Sequence, residues 1–405
     1  MGSRDARAWP VLGDYLAFRR NQLEFWTEAG SRGPVVPVRF GTQEFWVVTA
    51  PEIVEHILLR EVKSYPRDRR LMKLNRGPGP ELMFNTDDWD EWKWRRRLLT
   101  PAFRRQSIAG FADTMVDHAI RAAGELPGTV DLQESMRTMT MRMILQTMFS
   151  VTAGDEVERL KESFEKASDV VAGRAAAPIP VPYWMPTPAN AELHRLTRYR
   201  WGVLHGIVQA RIDANEPAGD LLDMLITEHL QDDGRAFGPM DLVGEMSGIV
   251  FAGHETTAET QTWLLYLLSS HPDVDRRVRD EIESVLGDRR ITVDDLDRMP
   301  VTHNVILETM RLYPPVYLTI READAAFTVE GVEIPSGTRL VINIRGLHLD
   351  PAAWDDPLRF DPDRFIGPND RHRFQYIPFL DGPKKCLGDH FAMMEMRLTI
   401  PTLLQ

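Results

Sequence analysis

The chain has 405 residues, 43% hydrophobic and 27% charged, a globular composition with enough apolar mass for a large core. Its formal net charge of −12 argues against a general nucleic-acid binder, which would carry a net basic face. One cysteine excludes intrachain disulfides, and no run of about 18 uncharged apolar residues reads as a membrane helix.

The first residues, Met1-Gly2-Ser3-Arg4-Asp5-Ala6-Arg7, hold no apolar stretch of signal-peptide length, so the chain is expected to work in the cytoplasm, off the membrane. The runs Val35–Phe40 and Glu44–Thr49 flank Gly41-Thr42 and predict a β-hairpin. Helical periodicity then dominates, over about 51–60, 88–98, 107–124, 133–150, 155–170, 190–215, 239–269, 273–286 and 301–312. Pro51 and Pro272 stand at first helical positions, where a missing N–H costs nothing. Phe327–Val329 and Thr338–Ile342 read as further strands, and Pro- and Gly-containing loops lead to a last helix from about Leu387. This order predicts one mainly helical α+β domain over residues 1–405, with small sheets to one side, rather than an alternating α/β sheet.

Four segments carry candidate chemistry. In Phe379-Leu380-Asp381-Gly382-Pro383-Lys384-Lys385-Cys386-Leu387-Gly388, the cysteine stands at the start of the last helix, where free N–H groups and the helix dipole favour a thiolate. Gly382 and Gly388 let the backbone pass close to a flat ligand. A lone cysteine is most often a small buried hydrophobe, and a nucleophilic one needs a histidine brought near by the fold. The long helical pattern contains Ala252-Gly253-His254-Glu255-Thr256-Thr257, in which a glycine and two threonines are unfavourable for a helix interior. A threonine there can divert a carbonyl by bonding back to residue i−4. Glu308-Thr309-Met310-Arg311 forms an i, i+3 ion pair that on a surface means little, and Phe360-Asp361-Pro362-Asp363-Arg364-Phe365 follows. In the cationic run 89–97, Trp92 and Arg96 share a helix face, and an arginine fork suits a carboxylate; for Lys93 and Arg95 a solvated face explains the charge as well.

These segments, in this order, resemble the cytochrome P450 family of haem-thiolate monooxygenases, in its soluble bacterial branch, over nearly the whole chain. The resemblance implies a long central helix lying over haem b, with Cys386 as ligand to the iron and Phe379, Lys384 and Gly388 in the loop beneath. Trp92, Arg96 and Arg321 are implied as propionate contacts, and Ala252 and Gly253 as the border of the haem. Glu255 and Thr256 would deliver protons to bound O2, while Glu308, Arg311 and Arg364 would lock the core. Lys384 stands where the family usually has arginine; it keeps the charge and loses the bidentate fork. Thiolate donation favours cleavage of the O–O bond.

Electrons would come from NAD(P)H through a reductase and a ferredoxin or flavodoxin, steered to a monomeric protein by Lys93, Arg97, Arg104, Arg105 and Lys385. By family analogy the pocket draws on segments near 65–85, 165–185, 249–256 and 316–320. Their apolar residues (Leu71, Met72, Leu74, Leu82, Met83, Phe84, Val170, Val171, Val316, Leu318, Ile320) suggest a largely apolar substrate, such as a secondary metabolite. The run Arg67–Lys73 reads as solvated loop, with a carboxylate anchor as the alternative. Hydroxylation and oxidative cyclisation, coupling or desaturation start from the same oxidant and stay open. A haem sensor without turnover is a third reading, disfavoured by the acid–alcohol pair. Family members usually continue beyond the cysteine helix with a β-hairpin that reaches the substrate, so the chain is expected to be cut short at Gln405.

Overall fold

Elements and core are taken from a computed structural model that describes residues 13–69, 82–125, 128–151, 155–175, 181–214, 216–227, 236–368 and 370–405. Two short helices, α1 (Tyr15–Arg20) and α2 (Gln22–Ser31), come before the hairpin of β1 (Val35–Phe40) and β2 (Gln43–Val48). Aromatic packing holds them there: Phe18, Phe25, Trp26, Phe40 and Phe45 form one cluster with neighbouring ring centroids 5.0–6.0 Å apart. Next comes α3 (Pro51–Glu55), which runs into a π turn at His56–Arg60.

The helical body follows: α4 (Trp89–Leu99), α5 (Arg105–Ala109), α6 (Ala112–Gly124), α7 (Leu132–Phe149), α8 (Asp155–Ala175), α9 (Pro188–Ala214), α10 (Leu221–Thr227), α11 (Pro239–Ser270), α12 (Pro272–Leu286) and α13 (Pro300–Leu312). Local chemistry marks several starts. Asp88 accepts the N–H groups of Asp90 (2.8 Å) and Glu91 (2.9 Å), Asp131 accepts that of Glu134 (3.1 Å), and Pro239, Pro272 and Pro300 begin α11, α12 and α13. Four short strands then form: β3 (Thr319–Glu322), β4 (Phe327–Val329), β5 (Val332–Ile334) and β6 (Arg339–Ile342). They are followed by α14 (Ile344–His348) and α15 (Asp389–Leu404).

The larger sheet has the order β1-β2-β6-β3, with β2 and β6 parallel and the other pairs antiparallel; β4 and β5 form a separate hairpin. The chief core lies among the helices around α11, and two smaller apolar clusters back the sheet. Close approach of α7 to α11 depends on Gly253, where a Cβ would fall 2.6 Å from Ile144 Cδ1. Among the described residues no helix is long and apolar enough to cross a membrane.

The mainly helical expectation with small sheets matches this architecture. The structure differs from the sequence reading in several elements. The expected helix 107–124 is broken at Gly110-Phe111, and α1, α2, α10, β3, β5 and α14 were not expected. Each unexpected element is short, and β3 exists through its pairing with distant β6, which no local pattern announces.

Beneath the helical body, Glu308 and Arg311 are fully buried and joined by two bonds of 2.6 and 2.8 Å. Arg364 Nε lies 3.4 Å from Glu308, which also accepts the Asp361 N–H (2.9 Å). Arg311 donates to the His348 (2.9 Å) and Pro357 (2.7 Å) carbonyls, tying α13 to the segments before the cysteine loop. Taking away one partner of a buried pair costs about 3–5 kcal/mol, because the other charge is left uncompensated. Glu308→Gln should therefore lower the free energy of unfolding in urea by that order; an unchanged unfolding curve would count against this clamp.

Candidate active site

Cys386 lies just before α15, in a loop whose shape the backbone dictates. Its N–H donates to the Phe379 carbonyl (2.8 Å), and the Lys385 N–H donates to Gly382 (3.1 Å). Leu380 (φ 58°) and Gly382 (φ 76°) adopt left-handed conformations to make these returns. At Gly382 no side chain fits: a Cβ would lie 2.2 Å from the Leu58 carbonyl oxygen of the π turn. Asp381 accepts from Arg373 (2.5 Å) and from the Gly382 N–H (2.6 Å), which fixes the loop on its outer side.

The Cys386 side chain is exposed at the surface of the loop, although neighbouring protein atoms partly desolvate its thiol. Burial pushes the thiol above its ordinary value, and Asp389 adds to that. The Gly388 N–H, Arg96 and Lys385 pull the other way without prevailing. The helix start thus does not make the thiolate by itself, contrary to the expectation from the dipole. Coordination to a metal ion deprotonates a thiol outright. Among the described residues no group of three His, Cys, Asp or Glu side chains stands ready to hold an ion. Iron in a porphyrin brings its other ligands with it, so a single cysteine suffices to hold it.

Beside this loop cations gather. Arg321 is buried, donates from Nη1 to Thr319 Oγ1 (2.8 Å) and the Ile320 carbonyl (2.9 Å), and has a buried Nε with no partner. Burial and the nearby Arg67 pull it down to about 9. Lys384 is pulled down to about 8 by burial and by Arg67 and Arg321. Its ammonium lies 5.7 Å from the ring centroids of both Trp89 and Trp92, which are themselves 5.0 Å apart. Arg96 donates to the Lys385 carbonyl (2.9 Å), so Trp92 and Arg96 do share the face that meets the cysteine loop. Asp87 is the carboxylate that opposes the cluster at Arg67 and Lys384. Like charges crowded together with an orphaned buried donor fit a ligand bearing carboxylates, and a haem with two propionates meets that requirement.

Arg67 is the member that sequence reasoning missed. It was read with its neighbours as solvated loop; the structure corrects this for Arg67 and for Asp68. Asp68 is buried and paired with Arg339, while the Arg67 guanidinium donates to the Met83 (3.1 Å) and Phe84 carbonyls. The rest of that run, Arg70 to Lys73, and the pocket candidates Leu71, Met72 and Leu74 lie outside the described residues.

Gly248, Ala252 and Thr256 recur at spacing four along one face of α11. Phe251, which adjoins this face, is 39% exposed although it lies mid-helix among buried neighbours, so the helix here looks onto open space. Thr256 Oγ1 donates to the Ala252 carbonyl (2.6 Å). Glu255 does not meet Thr256: it accepts from Ser168 Oγ (2.8 Å) and lies 3.6 Å from Arg137, which also binds Glu259 (2.9 Å). Of the two small residues, Ala252 shares the Thr256 face, whereas Gly253 turns its bare Cα to Ile144 of α7.

The family model for cytochrome P450 matches residues 4–405. Cyclooctat-9-en-7-ol 5-monooxygenase of Streptomyces melanosporofaciens is 30% identical over 400 residues, covering 97% of this chain and 86% of that protein. Pentalenene oxygenase of Streptomyces avermitilis is 28% identical over 410 residues, covering 98% and 89%. Cytochrome P450 4X1 of Mus musculus is 31% identical over 428 residues, covering 97% and 82%.

If the cation cluster holds the propionates, Arg321→Gln removes a charge-assisted contact, and haem should pass to apomyoglobin about tenfold faster. A transfer rate equal to the wild type would remove Arg321 from the set.

Proposed function

The chain belongs to the cytochrome P450 family and is a haem-thiolate monooxygenase, and we propose that it oxidises a cyclic, largely hydrocarbon secondary metabolite. What supports the substrate class is the apolar side chains these segments leave exposed, Phe251 on α11 and Val316 before β3, together with Phe84 lying close to Gly248. The two Streptomyces relatives, whose names give a cyclic alkenol and pentalenene as substrates, support the same class.

Haem, when bound, supplies the activation of O2 and the oxidation of a C–H bond. The chain's own residues do the rest. Cys386 would supply the thiolate that holds the iron, with its backbone fixed by the Phe379 carbonyl and its sulfur facing the Gly388 N–H. Arg96, Arg321 and Lys384 would hold the propionates, and Trp92 backs Lys384. Thr256 gives its own proton to the Ala252 carbonyl, which leaves its lone pairs free to accept from a proton-bearing group in the cleft. Glu255 is held by Ser168 and Arg137, so it passes protons inward by releasing Ser168 and turning toward Thr256. Electrons arrive from NAD(P)H through a reductase and a ferredoxin or flavodoxin. The exposed Lys93, Arg97, Arg104 and Arg105 offer that acidic partner a cationic landing on the Cys386 side.

With a surrogate reductase and a cyclic alkene substrate, Thr256→Ala should keep consuming O2 and NAD(P)H while product formation falls by about 10²-fold. Unchanged product per NAD(P)H would remove Thr256 from the proton path, and no turnover of any cyclic alkene or alkenol by the wild type would overturn the substrate class.

A further inference from the structure

Arg67 lies between the cation cluster of Arg321 and Lys384 and the Leu82–Asn85 turn. Its backbone forms an isolated antiparallel bridge with Arg321, which sets two arginines directly across from each other. Like charges so placed repel, and burial holds Arg67 down to about 10. The Arg67 guanidinium reaches the Leu82–Asn85 turn, donating to the carbonyls of Met83 (3.1 Å) and Phe84.

That turn is gripped from its other flank as well. The Met83 N–H donates to Glu245 Oε1 (2.8 Å), and Glu245, fully buried on α11, is held by Arg95 (2.9 Å). Within the turn, the Leu82 N–H donates to Asn85 Oδ1 (2.6 Å) and the Thr86 N–H to the Leu82 carbonyl (3.0 Å). Both backbone groups of Met83 are therefore committed, one to each side. The grip seats the Phe84 ring on α11: a Cβ at Gly248 would lie 3.0 Å from Phe84 Cδ2. Gly248 is one turn before Ala252 and two before Thr256, so Phe84 covers the face that carries the proton-handling threonine.

We propose that Arg67 is a positioning residue that ties the propionate cluster to the Leu82–Asn85 turn, so that a bound propionate orders the turn and seats Phe84 over the Gly248–Thr256 face. An anion among Arg67, Arg321 and Lys384 removes the repulsion that otherwise favours moving Arg67 away, and it holds the guanidinium where it can grip Met83 and Phe84. Haem loading and closure of the pocket roof then become one event. The inference rests on haem being held by this cluster.

The test is amide hydrogen exchange at residues 82–86 in the holoenzyme. The samples are wild type, Arg67→Gln, Arg67→Lys, and wild type loaded with haem dimethyl ester, whose propionates carry no charge. Exchange should be about tenfold or more faster in Arg67→Gln and in the ester-loaded protein, the factor expected from losing charge-assisted bonds. Arg67→Lys, which keeps the charge and loses the fork, should fall between. The ester sample needs no mutation, so the idea stays testable even where Arg67→Gln folds poorly. Equal exchange in wild type and ester-loaded protein overturns the coupling. Reduced carbon monoxide spectra of the same samples separate the two layers. Thiolate spectra throughout with equal exchange sink the Arg67 role alone, and a wild type without a thiolate spectrum sinks the haem reading beneath it.

Discussion

A thiolate that is to bind iron must face a cleft from the floor, and here that depends on a backbone contact with no room for a side chain. Gly382 passes the Leu58 carbonyl so closely that any Cβ would collide with it, and this approach lets the chain fold back for the Cys386 N–H to reach Phe379. Much of the surrounding structure holds the two sides of that contact in place. The π turn presents Leu58, the pair of Arg373 and Asp381 fixes the loop, and α15, which starts just after Cys386, anchors the loop's end in the main core. The clamp of Glu308 with Arg311 lies behind, fastening α13 to the segments that lead into the loop.

Electrostatics then decide what the cleft can accept. Desolvation penalises every ion here, so Arg321 and Lys384 sit well below their ordinary values and the Cys386 thiol sits above its own. The thiol and the cations are each poorly satisfied by the protein alone, and in opposite senses. A ligand with a metal at one point and carboxylates at its edge answers both needs together. The cost of gathering like charges is thus a form of preorganisation for an anionic edge.

Much of this was legible in the sequence because it is local. The Gly382-x-x-x-Cys386-x-Gly388 spacing, the Glu308-x-x-Arg311 pair, and the threonines after Gly253 are short patterns whose chemistry shows at a glance. The prolines that open α11, α12 and α13 are equally local. What stayed hidden is non-local. Nothing in Arg67-Asp68-Arg69 says that the first reaches under Phe84, the second pairs with Arg339 and the third meets Asp324. Glu255 looked free to serve Thr256, yet its partners Ser168 and Arg137 arrive from two other helices. Gly253 resembled a cofactor-facing glycine, and its neighbour Ile144 is supplied by α7. Strand β3 and helices α1 and α2 are too short for periodicity to speak, and they form because distant strands and aromatic rings receive them.

The most direct measurement is the visible spectrum of the purified protein reduced with dithionite and exposed to carbon monoxide, for wild type and Cys386→Ala. The cleft described here predicts the far-red-shifted Soret band of thiolate-ligated haem in the wild type and its loss in the variant. A histidine-type spectrum in both proteins, or the shifted band persisting without Cys386, would contradict the assignment of this sulfur to the iron.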